Sequence, residues 1–372
     1  MVTQLDVVFL VASALGIAGW WSVPNERRTA FMAVFGALFL AVLDPVSAGV
    51  VAAATAMLAV VQHGVVVWLL LAVFCVGRVL ALPEFAFATP LGFGFTLCRL
   101  GHYAIERQRG SLPRHEPLDL FAYAFFFPVL AIGPIVRFET FLRERDRHRW
   151  DDELAAEGLE RILYGYAKVV FGANYVVGTV LSAQVLLILG TDVTAAVVVA
   201  QCVLQGAGMY LAFSGYSDIA IGSGRLLGIR LPENFDFPFL RPNIAEFWEN
   251  WHATLSAWCR AYVSLPVAGW SRSRSVGLVA SMVMLGLWHE FTLRFVLWGA
   301  WHGMGLAVFR LWRDRVTPHL PAAEGPVARA AARVAATSVT LVFVLSSLVW
   351  TKTERFEDTL YEVQVLLGGP WL

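Results

Sequence analysis

Long apolar runs alternate with short polar breaks along most of this chain. Runs approaching the roughly 20 residues that cross a bilayer occupy 6–21, 29–43, 46–62, 64–82 and 86–105. The first follows MVTQLD, which carries an acid and no base, so it reads as a retained span rather than a secretory signal. Asp44-Pro45 divides the second run from the third, a natural turn between antiparallel helices. The polar ERQRGSLPRHEPLD at 106–119 precedes LFAYAFFFPVLAIGPIVRF, an aromatic segment broken by Pro128 and Gly133-Pro134. Broken backbone is tolerated at membrane depth only where protein buries it or it lines a cavity, so a cavity wall is expected here. Two long spans are expected near 162–190 and 194–213, a helical pair near 276–312, and a final span over about 333–350.

The pattern changes in FDFPFLRPNIAEFWENWHATLSAWCRAYVSLP, which starts at Phe235. Ile244, Phe247, Trp248, Trp251, Leu255 and Trp258 recur at three- and four-residue steps and predict one amphipathic helix. Asn243 is placed to cap it, and Glu246, three residues on, to complete a capping box. Aromatic residues this dense between apolar segments predict an element at, or dipping into, a membrane interface.

Composition agrees with a membrane setting. Hydrophobic residues make up 58% of the 372 and charged residues 15%, against about half and a quarter in a soluble domain. The net charge of zero says nothing about partners, because in a membrane protein the distribution of charge matters more than its sum; no nucleic-acid partner is expected. Cys75, Cys98, Cys202 and Cys259 lie in or beside apolar segments without metal-type spacing and read as buried thiols. The longest polar segment, 137–161, carries Arg137, Arg143, Arg145, Arg147, Arg149 and Arg161 and is expected on the cytoplasmic side. Its interleaved acids predict a solvated, salt-bridged helix. Two spans later, a loop with Arg225, Arg230, Arg241, Arg260, Arg272 and Arg274 should lie on the same side. The whole reads as one all-α, multi-pass unit over 1–372, without repeats or a soluble domain.

Three of the eight histidines each follow a tryptophan: His252, His289 and His302 after Trp251, Trp288 and Trp301. Histidine inside a membrane segment costs free energy unless paired or solvated, and so points to function. His289 sits in MVMLGLWHEFTLRFVLW, near the middle of an apolar run, and a turn at Glu290–Thr292 is expected to separate it from His302. None of the three has the i, i+4 spacing of a helical zinc pair, and no nucleophile elbow occurs. General-base chemistry remains, in which a neutral imidazole takes a proton from an attacking alcohol. A proton relay in a transporter is the competing use, although no inverted repeat supports it.

Residues 235–303, with FSGYSDIAIGSGRLLGIRLPENFDFPFL, FFFPVLAIGPIVRF and LGFGFTLCRLGHYAIERQRG upstream, resemble the membrane-bound O-acyltransferases. The resemblance covers roughly 90 to 312 and is to the branch of bacterial alginate O-acetylation and teichoic-acid D-alanyl transfer proteins. It implies a ring of tilted helices around a tunnel, in the plasma (inner) membrane. His289 in GLWHE matches the family's catalytic histidine, and His252 in FWENWHATLSAW its second functional position. His302 in WGAWHG matches a histidine common in this branch. Trp251 and Trp288, with Trp248, Ser256 and His302, would line the substrate tunnel. The implied reaction moves an acyl group, foremost acetyl, onto hydroxyls of an exported polysaccharide or cell-wall polymer. D-alanyl transfer to teichoic acid, or acylation of a lipid or small metabolite, are alternatives. No bound cofactor is implied. The donor would be a co-substrate, acetyl-CoA or an acyl carrier thioester, and an extracytoplasmic acyltransferase could be a partner. The chain departs from the family at Glu290, where glycine is usual, and in a short interval between His252 and His289. The Glu290 carboxylate could lie against His289 and favour its cation, or turn to water; water is the expectation.

Overall fold

The computed structural model describes residues 2–61, 93–321 and 324–369. The expected span 64–82 and Cys75 fall outside these residues, as does the start of 86–105. The described residues are almost all helical. Three helices are long and apolar enough to cross a membrane: Asp152–Leu189, Ala195–Leu226 and Gly325–Lys352. They match the spans expected near 162–190, 194–213 and 333–350, the first starting earlier, the second ending later and the third longer at both ends. The chain divides into two compact units, one of residues 1–166 and 216–233, the other of 167–215 and 234–372.

In the first unit, Asn25–Leu43 and Pro45–Val60 meet at Asp44, whose carboxylate accepts from the backbone N–H groups of Val46 and Ser47. The turn is thus set by its own side chain, as Asp-Pro predicts. The broken aromatic segment forms the helix Pro117–Ala124, a tight turn at Phe127–Val129 and irregular chain up to Arg137. It is the middle of the core rather than a cavity wall, with Phe125, Phe126 and Phe127 buried. Its freed carbonyls find a donor inside the protein. The buried guanidinium of Arg99 donates to the carbonyls of Tyr123 at 2.9 Å and Ala124 at 3.0 Å. Gly36 permits this packing, because a Cβ there would fall 1.7 Å from the Phe125 carbonyl oxygen.

The polar segment folds into Phe138–Arg147 and the start of Asp152–Tyr166. Several of its arginines pair locally, as expected, but Arg161 reaches Asp218 at 2.6 Å and also pairs with Glu233. Outside the spans, burial raises the Glu139 pKa, but the His102 hydrogen bond, its own backbone N–H and nearby positive charge together hold it below the ordinary value.

In the second unit, Arg274–His289 and Leu293–Arg315 form an antiparallel hairpin with backbones in contact. Small residues allow the approach: a Cβ on Gly286 would lie 2.0 Å from the Phe295 oxygen, and one on Gly299 2.3 Å from that of Met282. The expected pair near 276–312 is therefore present. Its first helix has 16 residues, fewer than the roughly 20 a straight crossing needs.

Candidate functional site

The sequence 243–258 does not form one helix. Asn243 caps Ile244–Asn250 as expected, its side chain accepting from the Glu246 N–H at 2.9 Å. The Glu246 carboxylate accepts from the Asn243 amide at 2.7 Å. The helix then ends, and a second begins at Ala253–Cys259. Between them Trp251 is extended, pairing antiparallel with Phe235, and His252 is left-handed at φ +45° and ψ +50°. A residue other than glycine held there costs on the order of 1–3 kcal/mol, and such strain collects at functional sites. The apolar stripe predicts most of the buried face, since Ile244, Phe247, Trp248, Trp251 and Leu255 are buried and Trp258 is half-buried. Helical periodicity cannot register a single-residue break.

The break is held by Asn234, which is fully buried. Its backbone carbonyl accepts from the Ala253 N–H at 2.9 Å. Its side-chain oxygen accepts from Thr254 Oγ1 at 2.8 Å, His252 Nδ1 at 3.1 Å and the Thr254 N–H at 3.3 Å. Asn234 escaped the sequence reading because an asparagine between Glu233 and Phe235 looks like any loop residue. The only signal was its place in the PENF stretch of the family resemblance.

His252 is buried, with the Phe213 ring edge-on at 4.7 Å and Trp288 at 6.4 Å between centroids. Trp288 also contacts the His289 ring, at 4.8 Å. One indole therefore touches both histidines. His289 is not in the middle of an apolar helix: it is the last residue of Arg274–His289, and the residue is exposed. The expected turn at 290–292 follows, and the next helix returns Phe295 and Trp298 to the same ring, at 6.0 and 5.6 Å. The polar break in the sequence ends the helix at the histidine rather than after it. The Glu290 carboxylate accepts from the buried Arg294 guanidinium at 2.8 Å.

His302 lies behind this group. Ser347 Oγ donates to the Val344 carbonyl at 2.6 Å, so it accepts from His302 Nε2 at 2.8 Å. The neutral His302 ring then carries its lone pair on Nδ1. Trp248 and Trp298 stand at 5.1 and 5.0 Å from His302 and at 5.9 Å from each other. Both indole N–H groups and His302 Nδ1 are buried, without a hydrogen-bond partner among the described residues. Trp251 belongs to a neighbouring aromatic cluster with Phe235, Phe239 and Phe247. The Ser256 hydroxyl is used locally, donating to the Trp251 carbonyl at 3.2 Å. A cavity of about 600 Å³ in the same unit, bordered by Gln201, Gln205 and Lys352, includes none of the three histidines. Among the described residues no cluster of histidine, cysteine and carboxylate side chains could hold a metal ion.

Comparison with known proteins gives this geometry a setting. The profile of the membrane-bound O-acyltransferase family matches residues 52–349. A probable alginate O-acetylase of Azotobacter vinelandii is 34% identical over 234 residues, covering 62% of this chain and 46% of the relative. A teichoic acid D-alanyltransferase of Bacillus subtilis is 26% identical over 238 residues, covering 60% and 59%. A peptidoglycan O-acetyltransferase of Helicobacter pylori is 30% identical over 207 residues, covering 52% and 38%. The chain spans about half the length of the curated relatives it matches.

Proposed function

The chain belongs to the membrane-bound O-acyltransferase family, and from that premise we propose that it transfers an acyl group, acetyl foremost, from a thioester to a hydroxyl of an exported polymer. The observation that carries this reading is the pair of histidines on either side of Trp288. His289, accessible at its helix end, acts as the base. It takes the proton of the acceptor hydroxyl as the oxygen attacks the thioester carbonyl. Collapse of the tetrahedral adduct breaks the C–S bond, and the thiolate leaves with the proton returned by the imidazolium. The products are one ester and one free thiol. His252 orients the acyl group. Trp248 and Trp298 bring buried indole N–H groups without acceptors among the described residues, the kind of donor a carbonyl oxygen uses as it gains negative charge.

The donor is acetyl-CoA or an acyl carrier protein thioester arriving from the cytoplasmic side of the plasma membrane. An extracytoplasmic acyltransferase is a fitting partner for delivery to the polymer. Two of the three relatives described are named for O-acetyl transfer and the third, at lower identity, for D-alanyl transfer, which favours acetyl. The test is purified protein incubated with labelled acetyl thioester and candidate polymers. Release of free thiol with label on polymer hydroxyls is expected. Proton or solute movement in vesicles without thiol release would replace this reading with a transporter.

A further inference from the structure

The atom of His252 that faces the reaction is decided by a residue outside the pair. The Asn234 side chain meets the backbone N–H of Thr254, which can only donate. The atom of the amide at that point is therefore its oxygen, and the same oxygen is 3.1 Å from His252 Nδ1. Nδ1 must then carry a hydrogen, which leaves the lone pair of the neutral ring on Nε2. The same residue also fixes the backbone. The Asn234 carbonyl takes the Ala253 N–H, and the Asp236 N–H bonds the Asn250 carbonyl at 3.1 Å, closing the chain on both sides of the left-handed His252. Phe213, edge-on at 4.7 Å, and Phe235, stacked at 6.3 Å, confine the ring.

We propose that Asn234 is a positioning residue for acyl transfer: it locks His252 as the Nδ1–H tautomer in a left-handed turn and so presents Nε2 to the acyl group. This rests on the role assigned above to His252. Asn234→Asp keeps an acceptor for all three donors, whereas Asn234→Leu removes it. Thr254→Val withdraws one donor from the same oxygen without touching the imidazole, and serves as the control.

The experiment is nitrogen NMR of the full chain with labelled histidine in lipid nanodiscs, the His252 signal being assigned by its loss in His252→Asn. Acyl-transfer kinetics are measured on the same samples. The unmodified protein should show His252 protonated at Nδ1 and bare at Nε2. Asn234→Asp should keep that pattern, and Asn234→Leu should lose it. In Asn234→Leu kcat should fall about tenfold or more with little change in KM, as when a histidine loses its orienting partner. Asn234→Asp should recover much of that loss, and Thr254→Val should change neither signal nor rate. A ring protonated at Nε2 in the unmodified protein overturns the tautomer assignment, whichever variants fold. A lost tautomer at unchanged kcat in Asn234→Leu overturns the role of His252 in the reaction, which separates that failure from the first.

Discussion

His252 and His289 share one indole and differ in almost everything else. His252 is 2% exposed, strained in its backbone and tied through Nδ1 to a fully buried amide. His289 is exposed, ends a regular helix, and meets aromatic rings on several sides. A group that accepts and returns a proton needs access and freedom to change charge. A group that orients a substrate needs fixed geometry and a fixed tautomer. On the proposed reaction, the contrast divides the labour: His289 would react and His252 would position.

The contrast can be broken by removing either side of it. His289→Ala should have the largest effect, a loss of about 10²–10⁴-fold in kcat with insertion and folding intact. The readouts are thiol release at saturating donor and a melting curve in detergent. His252→Ala comes next. One hydrogen bond to a charged or polarised group is worth about 1.5–3 kcal/mol, so a loss of roughly ten- to a hundred-fold is expected. His252→Asn should retain more activity than His252→Ala, because an amide can still donate to Asn234. Equal rates for the two would remove hydrogen bonding from the role of His252.

Smaller changes sharpen the picture around His289. Glu290→Gly takes the carboxylate from buried Arg294. It should leave the pH–rate profile in place and lower stability by about 1 kcal/mol, less than for a fully buried pair because Glu290 is 39% exposed. A shifted profile would mean that the carboxylate acts on His289 after all. Ser256→Ala should do least. Its hydroxyl is spent on the Trp251 carbonyl, so activity should stay within about twofold and stability within roughly 0.5 kcal/mol.

What could be read in the sequence was whatever short-range chemistry decides. Asp44 capping the helix after it, Asn243 capping the next amphipathic helix and the polar break after His289 all depend on neighbours a few residues away. The buried face of 244–255 was legible for the same reason. The break at Trp251–His252 was not, because its cause is Asn234, 18 residues earlier. Nor was the partner of Glu290, since Arg294 lies one helical turn on in a helix that begins only after the break. The three histidines were singled out together, yet the structure sets His302 apart. It is bonded to Ser347 behind Trp298, while His252 and His289 meet at Trp288.

If His252 and His289 serve one reaction in different roles, a double-mutant cycle on kcat/KM for a labelled acetyl thioester will show it. Residues acting as a unit give losses that do not multiply. His252→Ala with His289→Ala should be little worse than His289→Ala alone, because without its base the site gains nothing from an oriented acyl group. A double variant whose loss equals the product of the two single losses would contradict it, leaving two independent residues where one site is claimed.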